Sequence, residues 1–374
     1  MKKIALLTNG IYPLQIGGIQ KHSFYLAKHF GFRKIFVDVY TNFIPDELGK
    51  VESCFTNEEL NYINFINIPF PSVKKFPGHY IYESYLFSKV MYNEVVREKY
   101  TVIYAQGFTS WYFLKKNPFQ RNIISNLHGL NMFQNSVNFK MKLQMLLLSI
   151  PANQIIRKSK LQISLGGQLT NILLSQGANK ESIVVFPNGI DDYWLDNLDI
   201  NNLRNKIKFT FIGRYERLKG IKEFQSVIAS TIDVLDYEVE FIGPIPKNKQ
   251  LQHTRVSYSG LIKNSAIIKE KLIATDILVC PSYSEGMPTV ILEAMACGCA
   301  IIATDVGANE TMVSEDNGWL IKGDIKKNLR KALLEAVALE SDALLLKKKH
   351  SICKVKENFT WEKVIEKTIK SLGI

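Results

Sequence analysis

The sequence predicts an α/β protein with two doubly wound domains, each a parallel sheet covered by helices. Its 374 residues exceed what a single hydrophobic core normally serves. Short apolar runs alternate with longer amphipathic segments, which is typical of a parallel sheet with helical crossovers. This alternation stops and restarts near residues 188–206. With 46% hydrophobic and 22% charged residues, the composition excludes a disordered or low-complexity chain.

The first half of the chain contains the strands of the first predicted domain, over residues 1–188. A helix is predicted over Ile19–Phe30 between the first two of these strands. Each run is apolar on both faces, as expected for a strand buried between two layers of helices. The runs are Ile4–Leu7, Ile35–Tyr40, Val102–Tyr104 and Ile123–Asn126.

A second series of apolar runs predicts the second domain, over residues 189–357. The polar segment Asp191–Asn205 follows Pro187-Asn188-Gly189 and separates the two series. The later runs are Phe209–Ile212, Val239–Ile242, Val256–Ser259, Ile277–Cys280 and Ala300–Thr304.

The net charge of +12 is concentrated in one half of the chain. Residues 1–187 carry 21 basic and 10 acidic side chains, net +11, whereas residues 188–374 carry 26 and 25, net +1. Such an excess indicates an anionic partner, which the count alone leaves open between nucleic acid, phosphate and a membrane surface.

The cysteines and the N-terminus indicate a cytoplasmic protein. Five cysteines, an odd number without CxxC spacing, argue against a disulfide framework or a zinc site and for buried thiols in a reducing compartment. Near the N-terminus only Ile4–Leu7 is apolar before Asn9-Gly10, far short of a signal peptide.

The stretch Leu143–Ile156 is the longest uncharged candidate for contact with a membrane. Its fourteen residues, interrupted by Pro151, are too few to span a bilayer. Basic residues flank it, so the sequence suits either a core helix or an interfacial helix on a membrane surface. These residues are Lys140, Lys142, Arg157, Lys158 and Lys160.

Two turns between a predicted strand and a helix have the composition of anion sites, and ligands of doubly wound domains bind at such turns. Gly17-Gly18 precedes the first helix, and adjacent glycines allow close approach to a phosphate, although a plain glycine-rich turn has the same composition. Gly213-Arg214 and Lys219-Gly220 place two cations at a helix start, as surface turns also do.

A third turn, Pro281–Thr289, is the densest signal and leads into a helix that contains Glu293. Glu285 and the open N–H groups of the following residues suit a sugar and phosphates at the helix start, which Pro288 also favours. Glu293, inside the helix, suits a pair of vicinal hydroxyls. The two carboxylates are eight positions apart, so they span one nucleotide-sugar rather than form a catalytic dyad.

In this order the motifs resemble those of retaining glycosyltransferase family 4, also called glycosyl transferases group 1, which has the GT-B fold. The resemblance covers essentially the whole chain. The first loop lacks a third glycine, and Ala308 stands where many relatives have glycine. The motifs are Gly17-Gly18, His128-Gly129, Pro187-Asn188-Gly189-Ile190-Asp191, Gly213-Arg214, Lys219-Gly220, Glu285 and Glu293 as E-x7-E, and Phe359-Thr360-Trp361-Glu362-Lys363.

The resemblance implies two Rossmann-like domains that face each other across a cleft. Residues 1–188, with a C-terminal crossover helix at 358–374, would bind the acceptor, and 189–357 the nucleotide-sugar donor. Arg214 and Lys219 would neutralise the donor diphosphate without a metal, and Gly17 and Gly18 would approach it from the other domain.

The resemblance also assigns the donor sugar and the catalytic positions. Glu293 would bind the ribose, and Leu261 and Ile262 would border the base. His128 and Glu285 are the expected catalytic residues, His128 by positioning or charge stabilisation, and no protein nucleophile is assigned. The donor sugar and phosphates would meet Glu285 and the loop residues Gly286, Met287, Pro288 and Thr289.

The absent motifs favour this interpretation. The chain has no GxGxxG, no Gly-Lys-Ser/Thr and no Asp-x-Asp, the metal handle of the other major glycosyltransferase fold. We therefore expect no cofactor and no metal. The N-terminal half has no recognition helix or RNA-binding signature, so no nucleic-acid partner is expected.

The expected function is transfer from a nucleotide-sugar, UDP-sugar before GDP-mannose, to a glycan or lipid-linked glycan acceptor in bacterial surface polysaccharide synthesis. The aromatic and basic run Phe70–Tyr92 suits sugars or a polyprenyl-diphosphate head group, and equally suits core packing. The basic N-terminal domain suits peripheral contact with the inner face of the membrane. The alternatives are a GT-B epimerase or phosphorylase and a non-catalytic basic protein that binds membrane or nucleic acid.

Overall fold

The structure is a computed structural model that describes residues 2–15, 17–117, 122–134, 136, 139–196 and 206–372. The chain divides into two compact units. The first unit consists of Met1–Gln134 and Asn138–Asn188 together with Val364–Ile374, and the second mainly of Gly189–Lys363.

The first unit is built on a seven-stranded parallel sheet with the order β3-β2-β1-β4-β5-β6-β7. Strand β1 lies inside the sheet between β2 and β4, and its residues Ile4–Leu7 are fully buried. The strands are β1 (Lys3–Leu7), β2 (Phe36–Thr41), β3 (Ile63–Asn67), β4 (Val102–Gln106), β5 (Ile123–Asn126), β6 (Leu161–Ser164) and β7 (Ile183–Val185).

Helices connect the strands of the first unit, because two parallel strands need a crossover connection between them. Helix α1 buries Leu26, Ala27 and Phe30. The short helix α3 begins with a capping box between Thr56 and Glu59. The helices are α1 (Gly18–Phe32), α2 (Leu48–Glu52), α3 (Asn57–Leu60), α4 (His79–Val95), α5 (Trp111–Lys116), α6 (Phe139–Lys158) and α7 (Gln168–Ser175).

The second unit is built on a six-stranded parallel sheet with the order β10-β9-β8-β11-β12-β13. Phe209, Phe224 and Phe241 are fully buried in its core. The strands are β8 (Ile207–Ile212), β9 (Tyr237–Ile242), β10 (Val256–Gly260), β11 (Ile277–Cys280), β12 (Ala300–Thr304) and β13 (Gly318–Ile321).

The helices that follow β7 complete the chain, and seven of them lie in the described residues. Asp324 is the N-cap residue of helix α12, and its side chain accepts a hydrogen bond from the Lys327 N–H. The helices are α8 (Ile221–Thr231), α9 (Ser265–Ile273), α10 (Thr289–Ala296), α11 (Asn309–Met312), α12 (Ile325–Val337), α13 (Ser341–Asn358) and α14 (Trp361–Leu372).

The sheets contain four strands that the apolar runs do not predict, namely β3, β6, β7 and β13. Three of these are edge strands, where polar residues and glycine are tolerated because one side of the strand is unpaired. The fourth, β6, contains the buried Gln162, whose Nε2 donates to the Ile155 and Ile156 carbonyls at 3.1 Å each. The polar Gln162 side chain thereby connects β6 to carbonyls in the last turn of α6.

The uncharged stretch Leu143–Ile156 forms most of α6. Met145, Ala152, Ile155 and Ile156 are buried, so one face of the helix belongs to the core of the first unit. The opposite face is exposed. Within the described residues no helix is both long enough and apolar enough to cross a bilayer.

The five cysteines are all free thiols. Cys280, Cys297 and Cys299 are buried, as the sequence predicts, whereas Cys54 is half-buried. For Cys353 the prediction of a buried thiol is wrong, because this residue lies on an exposed part of α13.

Candidate active site

The structure brings Lys219 and Glu285 into contact at neighbouring strand ends of the second unit. Strands β8 and β11 are adjacent in the sheet, and the turns that follow them carry these two residues. Lys219 Nζ lies 2.6 Å from Glu285 Oε1, and Ser282 Oγ donates to the same oxygen at 2.7 Å. The Lys219 side chain is 29% exposed and that of Glu285 11%. The sequence predicts roles for both residues but not their contact.

The charge of Glu285 keeps Lys219 in its ammonium form. Burial by itself lowers the pKa of Lys219, but the nearby Glu285 charge and hydrogen bond outweigh burial and raise the pKa above its ordinary value. An ammonium group has three N–H donors, of which one meets Glu285. Lys219 therefore retains donors for an anionic ligand while its position is fixed by a carboxylate.

Tyr283 connects the Glu285 loop by hydrogen bonds to the segment before α8 and to the first turn of α8. Its N–H donates to the Leu218 carbonyl at 2.8 Å, and its hydroxyl donates to Glu223 Oε1 at 2.9 Å. Arg217 Nη2 donates to the Tyr283 hydroxyl at 3.1 Å, and the guanidinium lies over the ring. Leu218 and Glu223 lie on either side of Lys219 in the sequence. These bonds therefore also help to fix the position of Lys219 relative to Glu285.

Two glycines with left-handed backbone allow the loops around Glu285 to approach closely. Gly307 has φ of 58°, and a Cβ there would lie 2.3 Å from the Gly286 carbonyl oxygen. Gly220 has φ of 66°, and its Cβ would lie 1.9 Å from the Pro281 carbonyl oxygen. Ala308 has φ of −101°, which explains why alanine is accommodated at this departure from the family motif.

The loop residues Gly286, Met287 and Pro288 lead directly into α10, which begins at Thr289. Pro288 occupies the N-cap position without a side-chain capping bond, and its carbonyl accepts the Ile291 N–H at 3.1 Å. Met287 is buried, and Glu293 lies partly exposed one turn inside the helix. An anion and a set of hydroxyls are the ligands that such a helix start favours.

The remaining predicted donor residues lie on the surface of the second unit. Arg214 is 71% exposed, and its Nη1 lies 3.1 Å from Glu216 Oε1. An exposed pair of this kind contributes about 0 to 1 kcal/mol, so a stronger anion readily replaces Glu216. Leu261 is 62% exposed directly after β10, and the half-buried Ile262 follows it.

In the first unit, Gly17 and Gly18 lie at the start of α1. Gly17 has an extended backbone that any residue adopts, so its conformation does not require glycine. A Cβ on Gly18 would have no heavy atom within 4 Å, which leaves this helix start open. An open helix N-terminus is the arrangement expected for approach to a phosphate.

His128 follows β5 and is held by a hydrogen-bonded chain of buried side chains. Its backbone is left-handed, with φ of 56°, and its N–H donates to Asn126 Oδ1 at 2.9 Å. The His128 Nε2 lies 2.5 Å from Gln106 Oε1, and Gln106 Nε2 lies 2.9 Å from His22 Nδ1. The Gln106 amide therefore fixes both imidazoles, with the His128 Nε2 as the donor.

Both imidazoles are neutral at physiological pH. Burial lowers the pKa of His128 to about 3. Burial, followed by the nearby His128, lowers the pKa of His22 well below its ordinary value. A neutral His128 is suited to hydrogen bonding or positioning and does not supply a positive charge.

Sequence reasoning overlooks Gln106, which joins His22 and His128 across the first unit. The signal is its position at the carboxyl end of β4, next to β5 in the sheet. The sequence analysis also assigns no role to Ser282, which donates a hydrogen bond to Glu285 within the same loop. Among the residues described here, no group of three or more His, Cys, Asp and Glu side chains is arranged to hold a metal ion.

Two family models match consecutive parts of the chain. Glycosyltransferase Family 4 matches residues 16–193, and Glycosyl transferases group 1 matches residues 206–338. Together they cover most of both units.

Curated relatives are glycosyltransferases. An uncharacterized glycosyltransferase of Methanocaldococcus jannaschii is 22% identical over 98% of this chain and 97% of its own length. A Bacillus subtilis protein named for teichuronic acid biosynthesis is 35% identical, but over 33% of this chain and 31% of its own. The N,N'-diacetylbacillosaminyl-diphospho-undecaprenol alpha-1,3-N-acetylgalactosaminyltransferase of Campylobacter jejuni is 30% identical over 39% of each chain.

Solved structures share the fold over the full length of the chain. Sucrose-phosphate synthase from Thermosynechococcus elongatus superimposes with a TM-score of 0.76 at 18% identity and covers 99% of this chain and 98% of its own. Anabaena HepE in complex with UDP-glucose gives a TM-score of 0.70 at 16% identity and covers 100% of both chains. Two parallel-sheet units of seven and six strands with such neighbours define the GT-B fold, and the predicted fold class is confirmed.

The chain belongs to the group 1 and family 4 glycosyltransferases. It is a transferase with homologues in polysaccharide biosynthesis.

Proposed function

We propose that this protein is a retaining, metal-independent glycosyltransferase that uses a nucleotide-sugar donor. The donor is a UDP-sugar, with GDP-mannose as the second choice, and the acceptor is a hydroxyl of a glycan or lipid-linked glycan. The second unit binds the donor and the first unit binds the acceptor. Bacterial surface polysaccharide synthesis is the proposed setting.

The contact between Lys219 and Glu285 carries the proposal. It places an ammonium group, a carboxylate and the start of α10 at adjoining strand ends. As the glycosidic bond breaks, negative charge grows on the leaving diphosphate, and preorganised cations stabilise that charge. Lys219 is held at the site by Glu285, and Arg214 is released from a weak surface pair to join it.

Two cations and a helix N-terminus supply the charge that a metal ion supplies in other transferases. This is the physical support for metal independence. With a pKa of about 3, His128 is a weak base, which favours a reaction in which the protein activates no nucleophile of its own. In that reaction the acceptor hydroxyl attacks from the face that the phosphate leaves, and a phosphate oxygen takes its proton.

The relatives support the choice of donor and acceptor. Anabaena HepE binds UDP-glucose, and the Campylobacter jejuni relative acts on a diphospho-undecaprenol acceptor. The first unit offers exposed aromatic rings for such an acceptor, including Phe70, Phe76 and Tyr82. Phe87 is buried and belongs to the core, which agrees with the packing alternative for part of this run.

Release of UDP or GDP from a series of nucleotide-sugars, measured with EDTA present, tests the reaction. We expect Glu285→Gln to lower kcat/KM by roughly a hundredfold, because it removes the charge that orients Lys219 in the site. The matched control is Glu238→Gln, an exposed carboxylate on β9 of the same unit, which should leave turnover unchanged.

The outcomes separate the alternatives. Turnover that is lost in EDTA and restored by Mg²⁺ contradicts metal independence. An inverted anomeric signal of the product in proton NMR contradicts retention. Conversion of the donor sugar to its epimer, or phosphate-dependent cleavage of a glycan, would establish the epimerase or phosphorylase alternative. Full activity of the Glu285→Gln variant would contradict the proposed role of Glu285 in the donor site.

We also propose that the protein works on the inner face of the cytoplasmic membrane, in peripheral contact with anionic lipid. The support is the net +11 of residues 1–187, which the donor site in the second unit does not explain. A lipid-linked acceptor would be presented at that surface.

A further inference from the structure

Helix α6 has an exposed apolar face that no other part of the described chain buries. Leu143, Leu146, Leu147 and Ile150 are 52%, 63%, 40% and 57% exposed, and Phe139 one turn earlier is 83% exposed. At about 100° per residue these five side chains fall within roughly a third of the helix circumference. We call these five residues the α6 stripe.

The α6 stripe differs from ordinary surface leucines because it is contiguous. Single exposed apolar residues are common on protein surfaces and need no explanation, whereas a contiguous apolar patch marks an interaction site. The opposite face, with Met145, Ala152 and Ile155, is buried in the core of the first unit. The stripe is therefore the outer side of a helix whose inner side already anchors it.

Basic residues surround the stripe, and acidic residues are absent from residues 139–160 of the sequence. Lys142, Arg157, Lys158 and Lys160 are exposed, and Arg157 lies on the same face about two turns beyond Ile150. Helix α5 packs against α6 and adds the exposed Lys115 and Lys116 at its end. The side chain of Lys140 lies outside the described residues.

We propose that the α6 stripe inserts into the interfacial layer of an anionic lipid leaflet, with the surrounding cations on the head groups. This deepens the membrane contact proposed above by naming its surface. Apolar side chains on one face with lysine and arginine around them are the composition of interfacial helices, and the cations are attracted to anionic head groups. A protein partner would meet the same cations with a complementary acidic surface, whereas a leaflet supplies both apolar depth and uniform negative charge.

The position of α6 relates the proposed membrane contact to the acceptor side of the reaction. The short 3₁₀ turn Asn131–Phe133 packs against α6 and follows the His128 loop directly. A leaflet under the α6 stripe would therefore lie near the His128 loop of the first unit, the unit that we propose to bind the acceptor. This suits an acceptor whose lipid tail stays in the membrane.

Vesicle co-sedimentation of the full chain without donor tests the proposal independently of the reaction. The vesicles are phosphatidylcholine mixed with phosphatidylglycerol, and phosphatidylcholine alone serves as the uncharged arm. We expect binding to the mixed vesicles, and about a tenfold weaker partition for the double variant Leu146→Glu with Ile150→Glu. Phe32→Glu, at a residue that is 69% exposed at the end of α1 in the same unit, is the matched control and should bind as the wild type does.

The two glutamates of the double variant also change the charge of the surface. A fluorescence measurement therefore tests insertion of the α6 stripe with substitutions that add no charge. Tryptophan introduced as Leu146→Trp should be quenched by brominated lipid, whereas Phe32→Trp should not. High salt should weaken binding without abolishing it, because the apolar stripe is not screened.

Three results would overturn the proposal. The first is no binding to the mixed vesicles at low salt. The second is binding that the double variant retains and high salt removes completely, since charge alone would then explain it. The third is a wild-type dimer in solution that the double variant converts to a monomer, which would assign the stripe to a second copy of this chain.

Discussion

His128 has a left-handed backbone, and its neutral imidazole shares the Gln106 side-chain amide with the neutral imidazole of His22. A non-glycine residue in this region costs about 1 kcal/mol, and the Asn126 bond to its N–H helps to hold it there. Gln106 aligns the ring from the other side. The cost is consistent with a residue kept for its position rather than for stability.

We predict that the stability of the first unit falls with acid through His128. Its pKa in the folded state is about 3, below the ordinary value of 6.5 that applies to the unfolded chain. Between pH 6.5 and pH 3 the His128 imidazole is protonated in the unfolded chain but not in the folded chain, so the free energy of unfolding falls as the pH is lowered. By pH 5 the loss from His128 is about 2 kcal/mol.

Urea unfolding at pH 7.5 and pH 5 checks this prediction, with His128→Asn as the comparison. Asparagine tolerates the left-handed backbone and does not titrate. The variant should lose less stability than the wild type between the two pH values. An equal loss in both proteins would show that His128 does not contribute.

At the scale of elements, the donor loop depends on close backbone contacts between neighbouring strand ends. The Ala308 N–H donates to the Gly286 carbonyl at 2.8 Å, and Thr304 Oγ1 donates to the Ser282 carbonyl at 2.6 Å. The turn after β12 thereby supports the turn after β11, where Glu285 lies.

Gly307→Ala should disturb this support. A Cβ at Gly307 would lie 2.3 Å from the Gly286 oxygen on a left-handed backbone, so the Glu285 loop must move. We expect at least about a tenfold weaker nucleotide affinity, equivalent to about 1.4 kcal/mol, in calorimetric titration. Gly49→Ala, at a helical position with nothing within 4 Å, should leave affinity unchanged. Unchanged affinity in Gly307→Ala would contradict the role of this contact.

A buried ion pair joins α13 to the start of β11. Lys348 Nζ lies 2.9 Å from Asp276 Oδ1, and the two side chains are 5% and 4% exposed. Asp276 Oδ2 also accepts the Lys208 N–H at 3.0 Å. Removal of one partner leaves the other charge buried and unpaired.

Lys348→Met should lower the free energy of unfolding of the second unit by about 3 to 5 kcal/mol in urea titration. Lys349→Met, the next residue and exposed, is the matched control and should change it by less than about 0.5 kcal/mol. A loss below about 1 kcal/mol in Lys348→Met would show that the Asp276 carboxylate finds another partner or is protonated.

At the scale of the whole molecule, charge and candidate chemistry are distributed differently between the two units. The second half of the sequence is nearly neutral, yet the second unit contains Lys219 and Glu285. The first half carries the net charge and the α6 stripe. This division agrees with one unit for the donor and another for the acceptor and the membrane.

A nucleotide donor should therefore stabilise the second unit. In a thermal-shift series, a UDP-sugar at a hundred times its Kd should contribute about 2.7 kcal/mol, a shift of several degrees for a domain of this size. GDP-sugars should shift the transition less. Hydrogen exchange should slow around Glu285 and α10. A larger shift with GDP species would reverse the donor choice, and slowed exchange confined to the first unit would contradict the assignment of units.

The sequence by itself determined the local features of this protein. Two series of apolar runs predicted two doubly wound sheets, since burial between helix layers leaves a continuous apolar pattern. The order of short motifs identified the family, and Glu285 and Lys219 were singled out from their turns. These signals depend on neighbours within a few residues, so they are present in the chain before it folds.

Only the tertiary structure decided which distant residues meet. Lys219 rather than Arg214 contacts Glu285, although both follow β8. Gln106 joins His22, 84 positions away, because β4 lies beside the start of the chain in the sheet. Helix α6 buries one apolar face and exposes the other, although its sequence is apolar around most of its circumference. Strand order and helix docking set these contacts, and both depend on the free energy of the whole core rather than on any local pattern.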